Sequence, residues 1–144
     1  MILKLDLIGT MYNYGILDTG FGNQIIMENF EKLNAWQSAK SLCILCYKLV
    51  KKFPSEEKFA LGNQIRRASV SIPSNIAEGY SRKSTKDLER FLEIACGSTY
   101  EIITQITIAF ELKYISEQEK VEIVNLSQTT IRLINGFKRF KHKE

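Results

Sequence analysis

Histidine occurs once in the chain, as His142 close to the C-terminal end. Acid–base schemes and nucleophilic triads built on imidazole therefore have a single ring to draw on. Neither a G-x-G-x-x-G nor a P-loop string occurs, so nucleotide hydrolysis lacks its phosphate cradle. The one S-x-x-K string, Ser55 to Lys58, has no companion motif and reads as a helix start. Acidic residues fall beside lysines, as helical surface pairs do; only Glu78 borders an apolar run, with Arg67 or Arg82 as the expected partner. The chain thus reads as a non-enzyme that needs no cofactor. Cysteine is also scarce: Cys43, Cys46 and Cys96 make an odd count, which builds no disulfide framework and argues against secretion. Cys43 and Cys46 form a C-x-x-C inside the apolar run LCILCYKLV, where they read as small hydrophobes on a helix. With only Cys96 and His142 to add, no metal site is expected. Two prolines and eight glycines leave little turn chemistry for an all-β fold. No run reaches the roughly 18 apolar residues of a membrane helix. Asp6 interrupts the apolar start, and no basic n-region or small-residue cleavage site follows, so a signal peptide is not expected and a cytoplasmic location is.

What is present is ordinary for one soluble domain: 144 residues, 44% hydrophobic and 25% charged. A net charge of +4 and a pI near 8.9 permit an anionic partner without demanding one. Residues 1–26 mix glycine, Asn and Asp with no sustained helical period; they read as an upstream extension of a domain spanning 27–144. A first helix is predicted from about Asn34 to Lys52, stopped by Phe53-Pro54. Its only tryptophan, Trp36, reads as a core or interface anchor. Ser55 is expected to cap a second helix reaching about Tyr80, with Glu56 and Glu57 in its first turn.

That second helix carries NQIRRASVSIPSNIAEG, residues 63–79. Leu61, Ile65, Ala68, Ile72 and Ile76 line one face of it. Pro73 offers no N–H to the carbonyl of Ser69, so the helix must bend or break there. Ser69, Ser71, Ser74 and Asn75 can satisfy the freed backbone groups. Gly79 stands where a left-handed C-cap belongs. A third helix opens at Ser84 with Asp87 three residues on and ends near Lys113-Tyr114. Gly97 in its middle costs about 1 kcal/mol against alanine, and closer helix–helix approach is the expected offset. Ser116-Glu-Gln-Glu119 is a full capping box opening a fourth helix, whose basic end, FKRFKHKE, is expected to fray. Four helices with short linkers predict an all-α, antiparallel up-down-up-down four-helix bundle with a proline-kinked second helix. Several helices carry two apolar stripes where a monomeric bundle needs one, so a second copy of the chain is the expected cover.

The string QIRRASVSIPSNIAEGYSR, with NAWQSAK upstream and FLEIACGS downstream, closely resembles the small bacterial four-helix bundle protein family, also described as large-subunit ribosomal RNA intervening-sequence proteins. The family includes the accessory protein that partners the reverse transcriptase of diversity-generating retroelements. The resemblance runs from about Met27 to the C-terminus. It implies a four-helix bundle, assembly into a ring-shaped homopentamer, RNA-linked contexts, and a protein partner such as a reverse transcriptase.

Positive charge is the remaining functional signal. Arg66 and Arg67 form one cluster, Arg82, Lys83, Lys86 and Arg90 a second, and Lys138, Arg139, Lys141 and Lys143 a third. Such side chains neutralise phosphates and gain from counterion release. Tyr80 adjoins the second cluster and is a candidate to stack on an unpaired base. Arg66 and Arg67 lie about 100° apart on a helix, so one is expected to face a ligand while the other braces Glu78 or a neighbouring chain. Cyclic assembly would repeat each patch by symmetry. Two functions follow as expectations: a homo-oligomeric RNA- or DNA-binding accessory protein with weak sequence preference, or a structural adaptor that binds a protein partner through its oligomer surface.

Overall fold

The computed structural model describes residues 3–5, 11–13 and 30–142. Four helices form the fold: α1 (Asn34–Val50), α2 (Leu61–Tyr80), α3 (Thr85–Glu111) and α4 (Glu117–Lys141). A 3-10 turn, Phe30–Lys32, leads into α1. Two short strands, β1 (Leu3–Leu5) and β2 (Met11–Asn13), pair antiparallel with Lys4 opposite Tyr12. No strand falls among residues 30–142. The reading of residues 1–26 as an extension concerns a segment of which only β1 and β2 lie within the described residues.

Each helix packs on two others, α1 on α2 and α4, and α3 on α2 and α4. The connections are short, so consecutive helices run antiparallel and close into a four-cornered bundle. Ala39, Leu42, Cys46, Ile65, Ile72, Ile76, Ala95, Ile102, Ile106, Ala109 and Ile134 are wholly shielded from solvent, and they recur at the three- and four-residue spacing that puts them on one face of each helix. Burial pushes the Cys46 thiol up to about 12, as suits a cysteine acting as a small hydrophobe. Trp36 is half-buried between the edge-on ring of Phe30, 5.3 Å away, and the Lys40 ammonium, 4.9 Å from its centroid.

Several local expectations are corrected. The second helix does not begin at Ser55: residues 54–60 wind through turns, the Glu57 and Lys58 amides both donating to Pro54 O, and α2 starts at Leu61. Ser55 caps nothing; its hydroxyl donates to Glu56 Oε2. The late start lets Gly62 sit beneath the end of α1, where a Cβ would stand 2.6 Å from Val50 Cγ1 and 3.0 Å from Glu57 O. Gly79 is not a left-handed cap but an interior helical residue, and the C-cap Ser81 has φ −73°. The space it leaves lies against Leu88 and Phe91 of α3, both within 3.2 Å of a built Cβ. Among the described residues the left-handed one is Lys113, at φ 62°, just past α3. Pro73 sits inside an unbroken α2, so of the bend and the break it allows, the break does not occur. Around it Ser69 Oγ donates to Arg66 O, Ser74 Oγ to Val70 O, and Asn75 Nδ2 to Ser71 O, so these side chains bond neighbouring carbonyls and not Ser69 O, whose helical donor the proline removes.

Gly97 fails its expected role. A Cβ there meets no atom within 4 Å, so close packing does not offset the glycine. Gly97→Ala is therefore expected to stabilise the bundle by about 1 kcal/mol in denaturant unfolding. The fourth helix begins as expected: Glu119 N donates to Ser116 Oγ and Ser116 N to Glu119 Oε2. Lys52 pairs with the same carboxylate across the bundle and, with the backbone donor, holds it below the usual carboxylate range.

Candidate nucleic-acid interface

Antiparallel packing decides which cations meet. The α2–α3 turn, the first turns of α3 and the end of α4 share one end of the bundle. Lys138 Nζ lies 2.8 Å from Glu93 Oε1, Tyr80 stacks on Phe137 at 6.3 Å, and His142 pairs with Glu89. The second and third basic clusters, over 40 residues apart in sequence, therefore form one surface. Arg66 and Arg67 stand apart from it, near the start of α2 and towards the other end.

The expected fraying of the basic tail does not occur through Lys141. Helix α4 continues to Lys141 with His142 as its C-cap, because Glu89 and Glu93 on the antiparallel face of α3 hold His142 and Lys138. The hydrogen bond to Glu93 raises the Lys138 pKa, so this cation is largely answered within the bundle. Lys141 sits 5.9 Å from the Phe140 ring. Lys143 lies outside the described residues. Arg82 pairs with Glu78, settling which arginine answers that carboxylate, and its guanidinium covers Phe91 at 5.0 Å. Lys83, Lys86, Arg90 and Arg139 are exposed and have no partner among the described residues. They make up the available charge of this end. Tyr80, half-buried on Phe137, is already stacked and is withdrawn as a candidate for base stacking.

The Arg66–Arg67 pair divides its work, though not on Glu78. Both Nη atoms of Arg66 donate to Lys58 O, at 3.1 and 2.9 Å, tying the turn before α2 to the helix. Arg67, one residue on, is exposed. A groove of about 400 Å³ opens beside it between α1 and α2, lined by Tyr47, Asn63, Arg66, Arg67, Val70 and Ser71. Sequence reasoning did not single out Tyr47 or Asn63. Tyr47 lies in the apolar run LCILCYKLV, yet it is 43% exposed. Its missed signal is the 100° step from buried Cys46.

Among the described residues no group of three His, Cys, Asp or Glu side chains could hold a metal ion. No described helix is long and apolar enough to cross a membrane.

The family model for 23S rRNA-intervening sequence protein matches residues 31–136, and the chain belongs to that family. A crystal structure of a protein of unknown function from the S23 ribosomal protein family of Bacteroides thetaiotaomicron is similar in fold. It has a TM-score of 0.68 at 24% identity, covering 73% of this chain and 95% of the other. Among curated proteins no sequence matches the chain.

Proposed function

We propose that this protein is a non-enzymatic, homo-oligomeric accessory protein of the cytoplasm that binds RNA or DNA with weak sequence preference. The observation that carries the reading is the joining of two basic clusters at one end of the bundle, leaving Lys83, Lys86, Arg90 and Arg139 exposed and unanswered. Point charges of this kind contact phosphates, which carry no sequence information. The family's description ties its members to an intervening sequence of 23S rRNA, which agrees in polymer class. Assembly is supported by exposed apolar side chains, among them Ile94 and Ile108 on α3, Leu112 just past its end and Phe59 at 85% exposure. A ring of five, as the sequence resemblance implies, would set five copies of the basic end side by side.

The same apolar residues favour a second reading, an adaptor that docks a protein such as a reverse transcriptase. Fluorescence anisotropy of the intact protein with labelled 20-mer RNA and DNA single strands at low ionic strength separates the two. Binding to both, little altered by base composition, supports the nucleic-acid reading; no binding of either leaves the adaptor. Sedimentation at micromolar concentration is expected to show an oligomer, and a monomer alone would reject the assembly.

A further inference from the structure

Charge is distributed unevenly over the four helices in a way that runs of basic residues conceal. Helix α1 contains no Asp or Glu, and α2 contains only Glu78, which Arg82 answers. Helix α3 carries five acidic residues against two basic ones. The α1–α2 side is therefore cationic and the α3 side anionic, although the whole chain is only +4.

Among the described residues three aromatic side chains are markedly exposed: Tyr47, Phe59 and Tyr100. Tyr100 borders the α3–α4 groove, where Lys138 is already paired with Glu93, and has Glu101 next to it in the chain, so no unanswered cation stands beside it there. Phe59 follows Glu56, Glu57 and Lys58, a net acidic run in the turn before α2. Of the three, Tyr47 stands in a groove whose lining has cations and no carboxylate, with Arg67 and Arg66, and Lys48 and Lys51 are exposed on the same stretch of chain. Asn63 adds an exposed amide that can both donate and accept. A base stacked on a ring, a neighbouring guanidinium on the phosphate and an amide at the base edge are what single-strand recognition needs.

We infer that the α1–α2 groove takes an unpaired nucleotide of single-stranded RNA or DNA, with Tyr47 stacking on the base, Arg67 on its phosphate and Asn63 at the base edge. Arg66, fixed on Lys58 O, forms a rigid cationic wall. The inference rests on the nucleic-acid reading above and adds to it the selectivity for single strands that the bundle's basic end, without a free aromatic ring, does not supply.

The test is the affinity of the intact oligomer for a labelled oligo(dT) or oligo(U) 15-mer and for a 15-base-pair duplex, with Tyr47→Ala, Tyr47→Phe and Arg67→Gln. Tyr47→Ala is expected to weaken single-strand binding roughly five- to 150-fold and leave duplex binding unchanged. Tyr47→Phe, which keeps the ring, is expected to bind as the parent does. Arg67→Gln is expected to lower the single-strand salt slope by about 0.7. Unchanged single-strand affinity in Tyr47→Ala overturns the inference, as does an equal loss on duplex. A smaller sedimentation coefficient of Tyr47→Ala would show that another copy covers the groove, and also overturns it. If the parent binds no nucleic acid, both readings fall. If it binds, Tyr47→Ala does not matter and charge reversal of Arg82, Lys83 and Lys86 abolishes binding, only the groove is lost.

Discussion

Gly62→Ala is expected to destabilise the bundle by roughly 1–3 kcal/mol, the usual cost of forcing an extra methyl into a packed site. Two effects compete at this position. Alanine favours a helix over glycine by up to about 1 kcal/mol, and less in a first turn. Against that, the new Cβ would stand 2.6 Å from Val50 Cγ1 and 3.0 Å from the Glu57 carbonyl. Val50 is 2% exposed, and Glu57 O already accepts the Gly62 amide at 2.8 Å, so neither neighbour can retreat without opening the α1–α2 junction. Overpacking wins, and the midpoint of thermal unfolding is expected to fall by roughly 4 °C per kcal/mol at fixed protein concentration. Adding Val50→Ala removes the closest atom, so the double variant is expected to lose less than the sum of the two single losses. The contrast with Gly97→Ala, expected to be stabilising, is a sharp check on the packing because both replace a helical glycine.

Reversing the charge of Arg82, Lys83 and Lys86 to glutamate is expected to lower affinity for both single strands and duplex, by roughly 30-fold at low salt if the Lys83 and Lys86 contacts each contribute about 1 kcal/mol. Lys83 and Lys86 are exposed and unpaired, so their reversal should leave the core intact. Arg82 differs, since its loss frees Glu78 and uncovers Phe91. Those are partly exposed contacts, worth about 0–1 kcal/mol each, small beside the stability of a bundle this size. Sedimentation equal to the parent's is the control. Retained affinity in a variant that remains oligomeric would move the function to the adaptor reading.

The bundle was legible in the sequence because its signals are local and repeated: apolar residues at three and four, Ser84 and Ser116 with their caps, Phe53-Pro54 as a stop. The misplaced start of α2 shows where such signals fail. Ser55-Glu-Glu is a good cap by composition, but the contact between Gly62 and Val50 is tertiary and decides where the helix begins. Gly79 and Gly97 were read the wrong way round for the same reason. Whether a glycine serves a turn, a close approach or nothing depends on what stands opposite, and for Gly79 that is Leu88 and Phe91, on the next helix. The basic residues themselves were visible; the pairing that removes Lys138 and the stacking that removes Tyr80 were not. The first arises from α3 and α4 running antiparallel, which brings Glu93 to Lys138, and the second from the ends of α2 and α4 meeting, which brings Phe137 to Tyr80. Tyr47 and Asn63 were missed because a groove between two helices leaves no contiguous trace in either.

The central claim is that exposed cations on this bundle act on phosphates. It is tested most directly by the salt dependence of binding between about 50 and 200 mM monovalent salt, for the parent and for the Arg82, Lys83 and Lys86 reversal. The parent is expected to show a linear fall of log affinity with log salt, and the variant a slope shallower by roughly 1.4 on single strands, two lost contacts, those of Lys83 and Lys86, at about 0.7 each. A parent slope near zero, or equal slopes for the two proteins, would contradict the account.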